Sequence, residues 1–580
     1  MKQFFSLLLV VFVAQATLAQ SNAVAMELVR QNSTALGLSA NDLDNSSISS
    51  SYVITGTNIR MVYLQQQYKG LPVFNQLQVI AFNNGVPVSN AGGRIADMDN
   101  KAAAYSGSPL ITAAAAVQAA FTECGINFTD ALVPVTVSDN GHKLNFGNLG
   151  VSYVDIVASQ LWVEDTTGEV HLAWQVELAP KPTSDHWLIR IDAITAGFIN
   201  KNNYTVSCNW DKSDNSLACT EQAPHQHDTK AIAATKTGQA PFIVNDASYR
   251  VVPYPAESPI HAGGALAIRP NPWLLAPAGS NATSLKWHSN GTTDYNYTRG
   301  NNVWAYEDRN FDNVVGASDT SSTDAPLTFT KTYDFGQEPV VTNNQRAATT
   351  NLFYWNNIIH DISYIYGFDE VAGNFQANNQ GRGGSGNDAV NAEAQDGGGT
   401  NNANFNTPAD GTAGRMQMYL WTAPTPDRDG DLDNGIILHE YTHGISNRFT
   451  GGPANSSCLG NQEQMGEGWS DYFALMLTQD WPNSQITDGF DKPRGIGTYA
   501  LNQATTGVGI RQYPYTTNMA VNPFTYTNVS TVAVPHGVGS VWCTILWDMT
   551  WEMIQLDGIN PNLYDISTTP GSHRGRRQWC

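Results

Sequence analysis

The chain has 580 residues, 41% of them apolar and 10% aromatic, which allows large cores and excludes global disorder. Only 14% are charged and the net charge is −21, which argues against nucleic acid or an anionic membrane as partner. The length points to more than one domain.

Residues 1–19 read as a signal peptide. Lys2 supplies the positive end, Phe4 to Val13 the apolar segment, and Thr17-Leu18-Ala19 a small-residue cleavage site. The apolar run is too short to span a membrane, and no later run is long enough. The expectation is a secreted, extracellular chain with no membrane partner. The cysteines Cys124, Cys208, Cys219, Cys458, Cys543 and Cys580 leave their pairing open. Cys208 and Cys219 are close enough for a local loop. None forms a C-x-x-C pair, so no zinc–thiolate site is indicated. Sequons such as Asn281-Ala282-Thr283 bear on structure only where the host glycosylates.

Residues 20 to about 50 read as a short helix and a polar leader. Met61-Val62-Tyr63-Leu64 and Leu77 to Phe82 are strand-like, and Asn83-Asn84-Gly85 is a hairpin signal. Ala113 to Phe121 reads as helix. Gln160 to Val163, His171 to Leu178 and Trp187 to Ile191 read as strands. This region is α+β. His225 to Gln239 has linker composition, and an exposed linker is a natural site of proteolysis. A second domain begins near Pro241. Ala347 to Gly367 has helical apolar spacing. Residues 377–412, rich in Gly, Asn, Asp and Ala, are expected to be loop. Arg415 to Trp421 is a strand candidate. Gly435 to Arg448 and Gln462 to Gln479 are expected helices, separated by the turn Gly451-Gly452-Pro453.

The first of those helices carries His439-Glu440-Tyr441-Thr442-His443. Two histidines four apart on a helix lie about 40° apart around the axis and about 6 Å along it, so both imidazoles can reach one metal ion. Glu440, between them, is placed to act as a base on a water. Catalytic zinc usually has three protein ligands, and Glu467 on the next helix is the best third, with Glu463 as runner-up. Asp471, four residues on, suits the carboxylate that accepts the free N–H of a metal-bound histidine, here His439. The competing readings are a pair of surface histidines and an ordinary helix-surface carboxylate. His360 reads as a satisfied core histidine. Asp427, Asp429, Asp431 and Asp433 alternate as calcium ligands do, but Leu438 stands where a calcium loop has Glu, so a solvated loop before a helix start is an equal reading.

Beyond these residues the chain resembles the fungalysin family of metallopeptidases, thermolysin-like gluzincins. The resemblance rests on His439 to Asn455, on Gly466-Glu467-Gly468-Trp469-Ser470-Asp471, on Phe353 to Asp361 with Gly367 to Glu370, and on Asp427 to Asp431 and Tyr513 to Pro523. Tyr63 to Phe74 and Ala173 to Ile191 resemble the fungalysin/thermolysin propeptide. The resemblance implies an α+β propeptide over residues 20–235 and a two-lobed catalytic domain over residues 240–580, with the active site between the lobes. It implies one zinc ion on His439, His443 and Glu467, Glu440 as general base to a zinc-activated water, and His536 as a second electrophile at the oxyanion. Asn402 and Ala403 resemble the edge that binds substrate backbone by strand addition. The implied protein is a secreted, monomeric zinc endopeptidase made as a zymogen. It would hydrolyse peptide bonds in proteins, with its own propeptide as inhibitor and chaperone.

Residues 570–580 depart from the family pattern. Three arginines and little apolar periodicity stand where further helices are expected, so the C-terminal helical lobe is expected to be incomplete. That expectation carries the alternative of a catalytically inactive zinc-binding or inhibitory protein. An exopeptidase is a further alternative, although terminal-amine-binding residues are not evident.

Overall fold

The computed structural model describes residues 21–105, 107–209, 246–316, 319–321 and 327–565. The signal-peptide, linker and tail expectations fall outside those residues. The chain divides into two compact units. One runs to Thr205 and also takes in Phe449–Cys458; the other holds Val206–Arg448 and the chain from Leu459 onward.

The first unit is built on β1 (Ser46–Val53), β2 (Ile59–Tyr68), β3 (Leu71–Asn83), β4 (Val86–Gly92), β5 (Thr136–Ser138), β6 (Lys143–Asn145), β7 (Val157–Glu164), β8 (Val170–Leu178), β9 (Trp187–Asp192) and β10 (Phe198–Asn203). Its main path runs β1-β2-β3-β7-β8-β9-β10, with β4 on β3 and β6 on β7. The β3–β4 hairpin turns where the sequence signals it. Asn84 and Gly85 adopt φ of 50° and 82°, the left-handed pair such a two-residue turn requires. Helix α1 (Ala113–Glu123) is capped by Thr112, whose hydroxyl accepts the Ala115 N–H. Its buried face of Ala113, Ala116, Val117, Ala120 and Phe121 joins Trp162, Leu172 and Ile189 in one core.

The second unit holds a five-stranded sheet in the order β11-β17-β18-β16-β14, made of β11 (Thr205–Asn209), β14 (Val303–Glu307), β16 (Val390–Ala394), β17 (Asn402–Asn406) and β18 (Arg415–Met418). A smaller sheet joins β12 (Ala247–Val251), β13 (Ala267–Pro270) and β15 (Leu327–Phe329). β14, β16 and β18 are parallel, and β17 runs antiparallel to β18. β16 and β17 lie inside the stretch expected to be loop. Glycine and asparagine dominate its composition, and the two strands are short and buried at four of their five positions each.

The long helices here are α2 (Thr342–Ile365), α3 (Asn434–Gly451), α4 (Gly466–Thr478) and α5 (His536–Asp557). α2 is buried along nearly its whole length, so its polar residues must find partners inside the protein. Asn351 Nδ2 donates to Asp431 O at 2.7 Å and to Asn434 Oδ1 at 2.9 Å, which pins the start of α3. Trp355 Nε1 donates to Val252 O at 2.9 Å. At the other end of α3, the buried Arg448 donates to Asp388 Oδ2 at 2.6 Å and to Gly373 O at 2.8 Å. A cation there also suits the negative end of the helix. These contacts hold α3 at both ends.

Candidate metal centre

α3 is oriented by the face opposite its histidines. Tyr441 packs against Phe375 and Phe405, with ring centroids at 5.6 and 6.1 Å. Gly444 lies on the same side, where a Cβ would come within 2.7 Å of the Phe375 ring. The other face carries His439 and His443, with Glu440 fully buried between them.

His439 Nε2 and His443 Nε2 stand 3.1 Å apart. Glu467 Oε2 is 3.2 Å from the first, and Glu467 Oε1 is 3.7 Å from the second. The edge of a tetrahedron around a zinc ion with bonds of about 2.0–2.1 Å is about 3.3 Å. The two nitrogens and the carboxylate therefore fit a single zinc ion in both spacing and chemistry.

Behind this group, His439 Nδ1 donates to Asp471 Oδ1 at 2.8 Å. Arg511 donates to Asp471 through Nε at 2.7 Å and through Nη2 at 3.0 Å, and Nη2 also reaches Glu467 Oε2 at 3.3 Å. Tyr515 donates its hydroxyl to Asp471 Oδ2. Burial alone would raise the Asp471 pKa, but Arg511 and His439 outweigh it and hold the carboxyl well below the usual range. For His439, burial lowers the pKa, while Asp471 and Glu467 raise it to about 9. For His443, burial outweighs the pull of Glu467 and takes the pKa down to about 3. Asp471 thus sets the orientation of the His439 ring and the basicity of the nitrogen that faces Glu467. Asp471→Asn is expected to weaken zinc binding by about 10–100-fold, read by competition with a chromogenic chelator. Unchanged affinity would remove Asp471 from this role.

His536 is the first residue of α5. Its Nε2 lies 3.5 Å from Glu467 Oε1, and its side chain is 25% exposed. Burial shifts its pKa down. Two glycines let α5 come this close to α4. A Cβ on Gly539 would fall 2.3 Å from Glu467 Cβ, and one on Gly468 would fall 2.6 Å from Gly539 O. Gly539→Ala must therefore push the helices apart, and overpacking of this kind costs about 1–3 kcal/mol. The expected result is a lower Tm together with weaker zinc binding. A lower Tm with full zinc affinity would mean that the helix contact stabilises the unit without setting the ligand.

Glu463 does not join the group. α4 begins at Gly466, four residues later than the spacing predicts, which leaves Glu463 exposed in the preceding turn. Asn402 and Ala403 open β17, with Ala403 buried and β11 on the neighbouring edge. His360 is buried with Nδ1 against Asp361 Oδ1 at 3.0 Å and Nε2 against Gln376 at 3.1 Å, a core histidine as expected. Asp429, Asp431 and Asp433 are buried, not solvated. Gln395 donates to both Asp429 and Asp431, and Asp433 accepts the Ala500 N–H. The four alternating aspartates do not gather as a metal-ligand group among the described residues. Arg511 and Tyr515 are the site residues that sequence reasoning missed, because their distance along the chain from Asp471 carries no periodic signal.

No helix among the described residues is long and apolar enough to cross a membrane. Relatives include "Extracellular metalloproteinase 2" of Arthroderma otae, 45% identical over 326 residues, which are 55% of this chain and 48% of the relative. The protein of the same name from Trichophyton tonsurans is 44% identical over 326 residues, again 55% of this chain and 48% of the relative. "Extracellular metalloproteinase MEP" of Fusarium vanettenii is 40% identical over 325 residues, 56% of this chain and 48% of the relative. The chain spans about half the length of the curated relatives it matches. A solved structure, the YpeB C-terminal domain of Bacillus megaterium, aligns at a TM-score of 0.17 and 12% identity over 32% of this chain and 65% of its own, too low to bear on the fold. The profile of the fungalysin metallopeptidases (M36) matches residues 248–577, which take in the whole site and part of the 570–580 tail. The chain belongs to the fungalysin family of metallopeptidases.

Proposed function

We propose that this chain is a secreted zinc endopeptidase that hydrolyses peptide bonds in protein substrates. The observation that carries the reading is the convergence of His439, His443 and Glu467 on one point, with Glu440 between the histidines and Asp471 behind His439. Zinc held by these three residues would supply a Lewis acid to polarise the scissile carbonyl and to acidify a water. Glu440 takes the proton of the attacking water and delivers it to the leaving amine nitrogen. His536, at the start of α5, would hold the oxyanion as it develops. Asp471 and Arg511 keep His439 and Glu467 in one geometry throughout. No covalent intermediate is involved.

Within the catalytic domain, residues 240–580, the sheet-bearing part before α3 and the helical part after it would form two lobes with the site between them. Substrate would add as a strand along Asn402–Ala403. β11 stands beside β17 on that edge, which fits a zymogen whose substrate edge opens only after the chain is cut downstream of residue 209. The propeptide would be residues 20–235, supported by the resemblance of Tyr63 to Phe74 and Ala173 to Ile191, and the enzyme a monomer. Extracellular action is in keeping with the names of the relatives. The comparisons give no support to an inactive protein.

The test is casein hydrolysis by the processed chain with and without a zinc chelator. Activity lost on chelation and restored by zinc supports the reading. One bound zinc in folded, processed protein that cleaves neither casein nor peptides would sink it.

A further inference from the structure

We propose that Asp308, Glu393 and Asp396, together with Gln417, form a binding site for a divalent cation with the chemistry of calcium. The site is separate from the zinc ligands, and the proposal does not rest on the peptidase reading. The topology builds it. β14, β16 and β18 are parallel neighbours, with Tyr306 opposite Glu393 and Glu393 opposite Gln417. Asp308 follows the end of β14, and Asp396 follows the end of β16. One oxygen from each carboxylate lies within 4.8 Å of the others, and all three residues are buried. Calcium–oxygen bonds of 2.3–2.6 Å place opposite ligands about 5 Å apart, so the spacing suits that ion.

Charge and hydrogen bonding point the same way. Asp308 accepts the N–H groups of Asp312 at 3.2 Å and Asn313 at 3.0 Å. Asp396 accepts the Gly398 N–H at 2.6 Å and Gln417 Nε2 at 3.0 Å, and Glu393 Oε1 accepts the Tyr306 hydroxyl at 2.8 Å. Each carboxylate accepts at least one hydrogen bond, which favours its ionised form. The facing cation is Arg415, whose Nε is 3.9 Å from Glu393 Oε2. Three carboxylates against one guanidinium leave a surplus of two negative charges, which one divalent ion neutralises. Two further atoms also look for a partner. Glu393 Oε2 and Gln417 Oε1 belong to residues with no exposed surface, and neither has a hydrogen-bond partner among the described residues. Gln417 is already bonded to Asp396, so its amide is at the cluster. Turned about its last bond, it presents Oε1 as a fourth oxygen ligand. Burial raises the pKa of all three carboxyls, and repulsion from Glu393 adds to this at Asp308, which rises to about 7, and at Asp396; a bound cation relieves that strain.

The test uses the full chain carrying Glu440→Gln to prevent self-cleavage, with its zinc content measured and calcium removed on a chelating resin. Calorimetry with CaCl2 should find one ion bound, with MgCl2 much weaker, and saturating calcium should raise Tm by about 5 °C. Asp308→Asn and Asp396→Asn should each abolish the shift. Asp165→Asn, in the other mixed cluster of Asp165, Glu169 and His171, should keep it. Terbium luminescence excited through the aromatic residues, Tyr306 among them, should be displaced by CaCl2 and absent from Asp396→Asn. It gives a second readout if Asp308→Asn folds poorly. A folded parent with no calcium-dependent shift, or a shift that survives Asp396→Asn, would overturn the site and leave a network of carboxyls that share protons.

Discussion

Glu440→Gln is expected to lower kcat/KM for casein or a peptide by about 10²–10⁴-fold while the protein still holds one zinc. The substitution keeps the size of the side chain and removes only the carboxylate proposed to take a proton. Its neighbours on α3, His439 and His443, hold their places against Asp471 and Glu467. The Tyr441 packing against Phe375 and Phe405 is likewise untouched. Metal content and Tm should therefore stay near those of the parent, and the loss should fall on kcat. Elemental analysis beside the kinetics separates the outcomes. A variant with full zinc and near-parent kcat would show that another group moves the proton. A variant without zinc would show that Glu440 supports the ligands and leave the role of base untested, in which case Glu440→Asp, which keeps the carboxylate, decides it by partial activity.

How far the site could be read from the sequence depended on whether a residue's role is written in local spacing. His439 and His443 are legible because an interval of four residues on a helix fixes their geometry. Asp471 is legible by the same interval from Glu467. Arg511 and Tyr515 close the shell from a segment 40 and 44 residues beyond Asp471, and no periodicity marks a side chain that arrives from a loop. The strands of the first unit follow their β-branched and aromatic runs closely. β16 and β17 do not, because the glycines, asparagines and small residues around them read as loop. Enclosure by α2 and by neighbouring strands decides their conformation, and no window of sequence contains that information. The same blindness hides Asp308, Glu393 and Asp396. Each is an ordinary acidic residue in the sequence, and only the parallel pairing of β14 and β16 brings them together.

Glu467→Ala is expected to lose zinc altogether at micromolar free metal, and activity with it. Glu463→Ala should keep one zinc per chain. The carboxylate would supply the one anionic donor to a site whose other donors are two imidazoles, and it lies 3.2 Å and 3.7 Å from their nitrogens. Its loss must exceed the roughly 10–100-fold expected when only an outer partner such as Asp471 is removed. The structural effect should be visible as well. Glu467 is buried and also faces Arg511 Nη2 at 3.3 Å and His536 Nε2 at 3.5 Å. Taking away one member of a buried charged group typically costs about 3–5 kcal/mol, because the partners stay buried. Arg511 keeps its two hydrogen bonds to Asp471, so the penalty should fall toward the lower end and the protein should remain folded with a reduced Tm. Glu467→Gln separates charge from shape. It retains an oxygen donor, so it should bind zinc more weakly than the parent and more tightly than the alanine variant. Glu463 is exposed in the turn before α4, and the contact it provides to α5 is its carbonyl oxygen, which accepts Trp542 Nε1 at 2.9 Å and survives any side-chain change. If Glu463→Ala lost the metal and Glu467→Ala kept it, the start of α4 would have to be redrawn and the third ligand moved one turn back along the chain.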